Sequence, residues 1–322
     1  MSKDRIFKKC LITGITGSGG SYLAEHIISR DKNIRIFGIY RSSGYKHLLK
    51  NKRIKLYKCD LCNFEKTKKI IKKINPDLVF HIASNANVRA SFDKPKKIID
   101  NNTSITLNLL ESIRVTKLNP LIIVCSTSEV YGRVDKKDVP IKETKRMLPV
   151  NPYSVSKAFQ DLLSQVYIKS YGLRIIITRM FSYTNARRKD LFQTAFAKQI
   201  VDIEKGKKKI LEHGNLASIR NVIDISDAME AYWVTAKKGT VGEIYNIGGK
   251  KVISVGEYLE ELKKLSHVKI KSKVNKKLLR PIDVTLQIPD TNKFTRDTNW
   301  TPKISFEQSV RKILSSCRNS KN

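Results

Sequence analysis

The chain alternates short, unbroken apolar runs with longer stretches in which apolar positions recur every three or four residues. Cys10–Thr13, Ile34–Tyr40, Lys52–Cys59, Asp77–Ile82, Leu121–Cys125 and Arg174–Arg179 form the runs. Continuous apolar character is what strands buried on both faces require, and such strands belong to parallel sheets. From Ser21, and across 98–115 and 154–171, the spacing predicts helices. Strand and helix in strict alternation predict an α/β fold, a Rossmann-type doubly wound parallel sheet. After residue 180 the rhythm breaks into short segments separated by loops rich in Gly, Asn and Lys. There Gly242–Gly249 predicts one more strand and the region near 305–316 a final helix. The expected organisation is a nucleotide-binding domain over 1–180, with a returning strand near 220–248, and a smaller α+β lobe for substrate over 181–322.

The first run leads directly into Gly14-Ile-Thr-Gly17-Ser-Gly19-Gly20 and then a helix. Glycines at that junction allow a tight turn, close approach of backbone N–H groups to a pyrophosphate, and a helix N-terminus aimed at the anion. An acidic residue at the end of the second strand would take the ribose 2′-hydroxyl of NAD. This chain has Arg41 and Ser42 there instead, a guanidinium and a hydroxyl suited to the 2′-phosphate of NADP. Tyr153 and Lys157 are four apart on a predicted helix and share a face. An ammonium beside a phenol favours the phenolate, which would make Tyr153 a usable general base. The fifth run ends in Ser126-Thr127-Ser128-Glu129, at the sheet edge where such folds bind ligands. Thr127 or Ser128 can hold the oxygen that Tyr153 deprotonates. Glu129 adds a carboxylate that hydride transfer alone does not need, but that removal of a proton beside a ketone does.

Composition adds exclusions. There are 63 Lys and Arg against 29 Asp and Glu, a net charge of +34. The lysines are scattered along solvated faces and no nucleic-acid motif accompanies them, so no nucleic-acid partner is expected; the charge helps to steer an anionic substrate. The five cysteines, an odd number, fit reduced thiols, and Cys59 and Cys62 lack the further ligands of a metal site. No run reaches the ~20 apolar residues of a membrane span. The opening residues lack an apolar signal core, which makes the cytoplasm the expected address.

The glycine turn, Asp60-Leu61 and the Tyr153/Lys157 pair resemble the extended short-chain dehydrogenase/reductases over nearly the whole chain. Within them, Thr13–Glu25, Tyr40–Ser43, Ser126–Gly132 and Arg187-Arg188 are similar to GDP-mannose 4,6-dehydratases. That resemblance implies an NADP site built from Gly14, Thr16, Gly17, Ser18, Gly19, Gly20, Arg41, Ser42, Asp60, Leu61, Ile82, Ala83 and Arg188, together with Tyr153 and Lys157. It implies a catalytic tetrad of Thr127, Glu129, Tyr153 and Lys157. It also implies GDP-mannose as substrate, contacted by Ser128, Asn185, Lys198, Arg220 and Arg280, the three basic residues serving the diphosphate. In the implied reaction Tyr153 takes the sugar 4-hydroxyl proton, Glu129 takes the C5 proton, water leaves from C6, and NADP is regenerated within the turnover. A homodimer or homotetramer is expected on the same ground. The resemblance is not exclusive. Phe196–Ile200, Gly214–Leu216 and Leu279–Val284 are also similar to GDP-4-keto-6-deoxymannose reductases, and the Ser126–Gly132 string occurs in UDP-sugar decarboxylases and epimerases. Those reactions stay open, as does a non-catalytic binding role on the same scaffold. Ser182-Tyr183 stands where dehydratases usually carry Asn-His, and Arg220-Asn221 where many relatives have Arg-Asp.

Overall fold

In the computed structural model, which describes residues 4–320, each of the predicted runs is a strand. In chain order the first half comprises β1 (Lys9–Thr13), α1 (Ser18–Arg30), β2 (Arg35–Tyr40), β3 (Ile54–Lys58), α2 (Phe64–Ile74), β4 (Leu78–His81), α3 (Val88–Asp93), α4 (Pro95–Val115), β5 (Leu121–Thr127), α5 (Pro152–Tyr171) and β6 (Ile175–Met180). The second half comprises β7 (Ser182–Tyr183), α6 (Phe192–Glu204), β8 (Leu211–His213), β9 (Ile219–Ile223), α7 (Ile225–Lys238), β10 (Ile244–Ile247), β11 (Lys251–Ser254), α8 (Val255–Lys264), β12 (Ser272–Val274), β13 (Leu286–Gln287), α9 (Asn292–Thr298) and α10 (Phe306–Asn319). The main sheet has seven strands in the order β10-β6-β5-β4-β1-β2-β3, and every pairing in it is parallel.

Alternate residues of the central strands serve opposite faces of this sheet, and both faces are buried. Ile12, Phe80 and Ile123 pack towards α1 and α7, whereas Leu11, Val79, Ile122 and Val124 pack towards α2, α4 and α5. This is why the strands read as continuous apolar runs. Strand order reverses between β1 and β4, so the cleft at the carboxyl ends of these strands is the expected ligand position. The returning strand is β10, which extends the main sheet beside β6.

The remaining strands form a second layer. A small sheet runs β11-β9-β13 with β7 also on β9, and β8 pairs with β12. Its core includes Phe196, Ile200, Tyr258, Leu262, Val310 and Ile313, contributed by α6, α8 and α10. Ser254 and Ser305 cap α8 and α10 with reciprocal bonds to Glu257 and Gln308. Capping of this kind fixes where short helices start, and so how the lobe closes over the edge of the main sheet.

Candidate active site

A cleft of about 980 Å³ lies across the carboxyl edge of the main sheet and runs on under the second lobe. Its volume falls at the upper end of the range for small-molecule sites. Local sequence builds each wall. Between β1 and α1, Gly14 adopts φ +68°, and a Cβ there would come within 2.9 Å of the Ala83 backbone. Only glycine suits both demands. A Cβ on Gly20 would lie 2.4 Å from the Gly14 carbonyl oxygen, so the turn packs backbone on backbone. A Cβ on Gly19 would instead point into the cleft, towards Ile82 and Tyr183. The first-turn N–H groups of α1 have no intrahelical acceptor. A cradle lined by backbone, at a helix N-terminus with no acidic first-turn residue, fits a dinucleotide diphosphate.

Gly14, Thr16, Gly17, Ser18, Gly19, Gly20, Arg41, Ser42, Asp60, Leu61, Ile82, Ala83 and Arg188 all line this cleft. Thr16 donates to the Ser42 carbonyl at 2.8 Å, tying the glycine turn to the end of β2. Arg41 sits at the rim, donating to Asn101 at 2.7 Å with Asp60 at 3.7 Å. Arg188 donates to the Ala86 carbonyl at 2.6 Å and pairs with Asp190 at 3.0 Å, which fastens the segment after β7 to the loop after β4.

Tyr153 is set by its helix start. Asn151 accepts from the Ser154 N–H at 2.8 Å, the Ser154 hydroxyl bonds back, and Pro152 opens the helix. The same Asn151 donates its amide to Glu129 Oε2 at 3.1 Å. One residue therefore places both the phenol helix and the carboxylate. Thr127 ends β5 and accepts from the Glu129 N–H at 3.3 Å, and Ser128 is buried in the cleft wall. Thr127, Ser128, Glu129, Tyr153 and Lys157 all line the cleft together.

One sequence expectation is corrected here. Lys157 shares the helix face of Tyr153, but its ammonium donates to the Cys125 carbonyl at 2.5 Å and to the Gln160 amide oxygen. Burial lowers its pKa to about 8. Burial likewise pushes the Tyr153 phenol up, and the main opposing influence is Arg188 rather than Lys157. A long lysine stem reaches past its helical neighbour to the carbonyl groups of β5. Beneath it, His81 bridges Thr13 Oγ1 at 2.9 Å and Thr106 Oγ1 at 3.0 Å. Burial, then the nearby Lys157 charge, lowers its imidazole to about 3.

At the far end, Arg220 and Arg280 line the cleft and share Asp283, at 3.5 and 3.4 Å. Two further candidates lie elsewhere. Lys198 is exposed on α6, whose cleft-lining positions are Phe192, Ala195, Phe196 and Gln199. That spacing of three and four leaves Lys198 to one side of the stripe, exposed and not among the residues that line the cleft. Asn185 is fully buried behind the wall, accepting from the Arg187 N–H at 3.0 Å and, through its carbonyl, from Thr194 at 2.8 Å. It braces the Arg188 segment and is not among the residues that line the cleft. Sequence reasoning passed over Asn151, Asp283 and Gln287; only the Asn-Pro start of α5 carried a signal, that of a helix cap.

Five acids line the cleft: Asp60, Glu129, Asp190, Glu212 and Asp283. Four are paired to Arg41, Arg188, Lys208 and the Arg220/Arg280 couple. Of these five, Glu129 is the one with no cation within 4.0 Å among the described residues.

The fold and the cleft define a dinucleotide-binding enzyme scaffold with a tyrosine and a carboxylate in one cleft at the sheet edge. A family model described as GDP-mannose 4,6 dehydratase matches residues 11–313, and the chain belongs to that family. Among characterised proteins it is 28% identical to GDP-mannose 4,6 dehydratase 2 of Caenorhabditis elegans, over 96% of this chain and 88% of that protein. Among solved structures it is similar to a UDP-glucuronic acid 4-epimerase of Bacillus cereus in complex with UDP-glucuronic acid and NAD, with 26% identity, TM-score 0.85, and 96% and 99% of the two chains covered. RMD of Pseudomonas aeruginosa, complexed with NADPH, shares the fold at 23% identity and TM-score 0.82, over 97% and 99% of the chains. No helix among the described residues is long and apolar enough to cross a membrane.

Proposed function

We propose that this protein removes water from GDP-mannose to give GDP-4-keto-6-deoxymannose, using NADP that is regained within each turnover. The observation that carries the reading is the unpaired carboxylate of Glu129, held by Asn151 in the same cleft as Tyr153. An ion-paired acid is engaged by its cation; a carboxylate with no ion-pair partner is free to meet a substrate proton. Hydride transfer at C4, as in 4-epimerisation or ketone reduction, needs no base beyond the phenol. Elimination needs a second base, and Glu129 is the group available.

In this scheme Tyr153 holds the proton of the sugar 4-hydroxyl, with Thr127 hydrogen-bonded to the same oxygen. The nicotinamide, when bound, supplies the hydride acceptor and donor. Glu129 takes the proton from C5, made acidic by the neighbouring ketone, and a proton delivered to the C6 hydroxyl lets it depart as water. Arg220 and Arg280, prearranged by Asp283, meet the diphosphate with planar guanidinium groups. Arg41 and Ser42, at a strand end without an acid, support NADP over NAD. A homodimer is supported by α5, where Val155, Phe159, Leu162 and Val166 form an exposed apolar stripe at helical spacing. A cytoplasmic address completes the reading.

The test is incubation with GDP-mannose and catalytic NADP. A product lighter by one water, with no net NADPH consumption, is expected, and Glu129→Gln should abolish it while leaving slow oxidation at C4. Stoichiometric consumption of NADPH, or full dehydration by the Glu129→Gln protein, refutes the assignment.

A further inference from the structure

Gln287 lies in the cleft without a role in the scheme above. It is on β13, in parallel register with Arg220 of β9, so both side chains leave the small sheet on one face, and both line the cleft. It is 4% exposed, and its Nε2 is buried with no hydrogen-bond partner among the described residues. The surrounding charges are already matched: Asp283 holds Arg220 and Arg280. Gln287 is thus the strand neighbour of Arg220 in the wall of the cleft that Glu129 and Tyr153 also line.

A buried amide with an unmade hydrogen bond destabilises the free protein, and native proteins carry few such groups. Completion by a ligand is the physical reason for one to sit in a binding cleft. The anionic phosphates are served by guanidinium groups. A neutral amide both donates and accepts, which matches a hydroxyl, itself donor and acceptor. We propose that Gln287 is a specificity-determining residue whose side-chain amide hydrogen-bonds a hydroxyl of the bound hexose and so selects its configuration. This rests on the nucleotide-sugar reading of the cleft.

The experiment compares binding of GDP-mannose and of GDP alone, by calorimetry on the full-length protein and its Gln287→Met variant. Loss of one hydrogen bond predicts a Kd for GDP-mannose raised about tenfold, with the Kd for GDP unchanged. The free variant should unfold at the same temperature or higher, because the unpaired amide is gone. Equal weakening of both ligands would put the contact on the nucleotide and overturn the proposal, as would no weakening of either. A lower unfolding temperature would make Gln287 a packing residue and overturn it too. Failure of the wild-type protein to dehydrate GDP-mannose sinks the function above instead. Gln287 is then judged by the same difference between UDP-glucose and UDP.

Discussion

His81 offers a prediction whose size follows from burial alone. The imidazole is fully buried at the end of β4, bonded on both nitrogens to threonine hydroxyls, and its pKa is lowered to about 3. In the unfolded chain it returns to about 6.5. The folded state therefore stays neutral while the unfolded state gains a proton as pH falls. With the folded pKa depressed, the stabilisation is present in full above about 6.5 and is lost progressively between there and about 3. From pH 7 to pH 5 the unfolded state gains about 2 kcal/mol from this one group. Urea denaturation of the wild-type and His81→Gln proteins at both pH values isolates that amount, because the other titrating groups are shared. The wild-type protein should lose about 2 kcal/mol more than the variant over that interval. Should the variant fail to fold, nitrogen-15 shifts of the wild-type imidazole report directly. A titration midpoint near the ordinary histidine value would refute the reasoning.

Three other outcomes are expected. Arg41→Ala should weaken NADP binding on the order of tenfold and leave NAD binding nearly unchanged, since a charge-assisted contact to the 2′-phosphate is lost; fluorescence titration measures both. Asp161→Ala strands the buried Arg179 guanidinium, which pairs with Asp161 at 2.8 Å, and should cost about 3–5 kcal/mol in urea unfolding. The double change of Asp161→Leu with Arg179→Met should restore much of that loss. Leu162→Asp, in the middle of the exposed α5 stripe, should convert a dimer to monomers in sedimentation without changing the far-ultraviolet spectrum.

The sheet was legible because each central strand is buried on both faces, so its apolar run is unbroken, and because the glycine turn marks the junction of β1 and α1. The second lobe was less so. β13 is two residues long, and no periodicity can announce Leu286–Gln287. Its importance comes from register beside Arg220, which only tertiary pairing provides. Lys198 illustrates a different loss. Its charge suggested a diphosphate contact, but the face of α6 that meets the cleft is set by which residues pack against α8 and α10. Phe196 and Ile200 decide that rotation, and Lys198 turns outward with it. A residue type names a chemistry; a helical angle decides whether that chemistry reaches a ligand.

The tyrosine shows where sequence spacing stops being sufficient. Tyr153 and Lys157 share a face, as their separation requires, yet sharing a face fixes the Cβ atoms and not the end of a four-carbon stem. The ammonium finds two oxygens, on Cys125 and Gln160, that desolvation makes hard to forgo. The phenol is left with burial as its main influence and with Arg188 as its main cation. Arg188 is itself tied to Asp190 and to the Ala86 carbonyl, so its position depends on the segment that Asn185 braces. The proton affinity of Tyr153 is thus coupled to the loop of Arg188 that lines the cleft, not only to its own helix. A variant that loosens this segment while sparing every cleft-lining side chain, such as Asn185→Ala, should move the pH profile of kcat towards higher pH. An unmoved profile would mean that Arg188 does not tune the phenol.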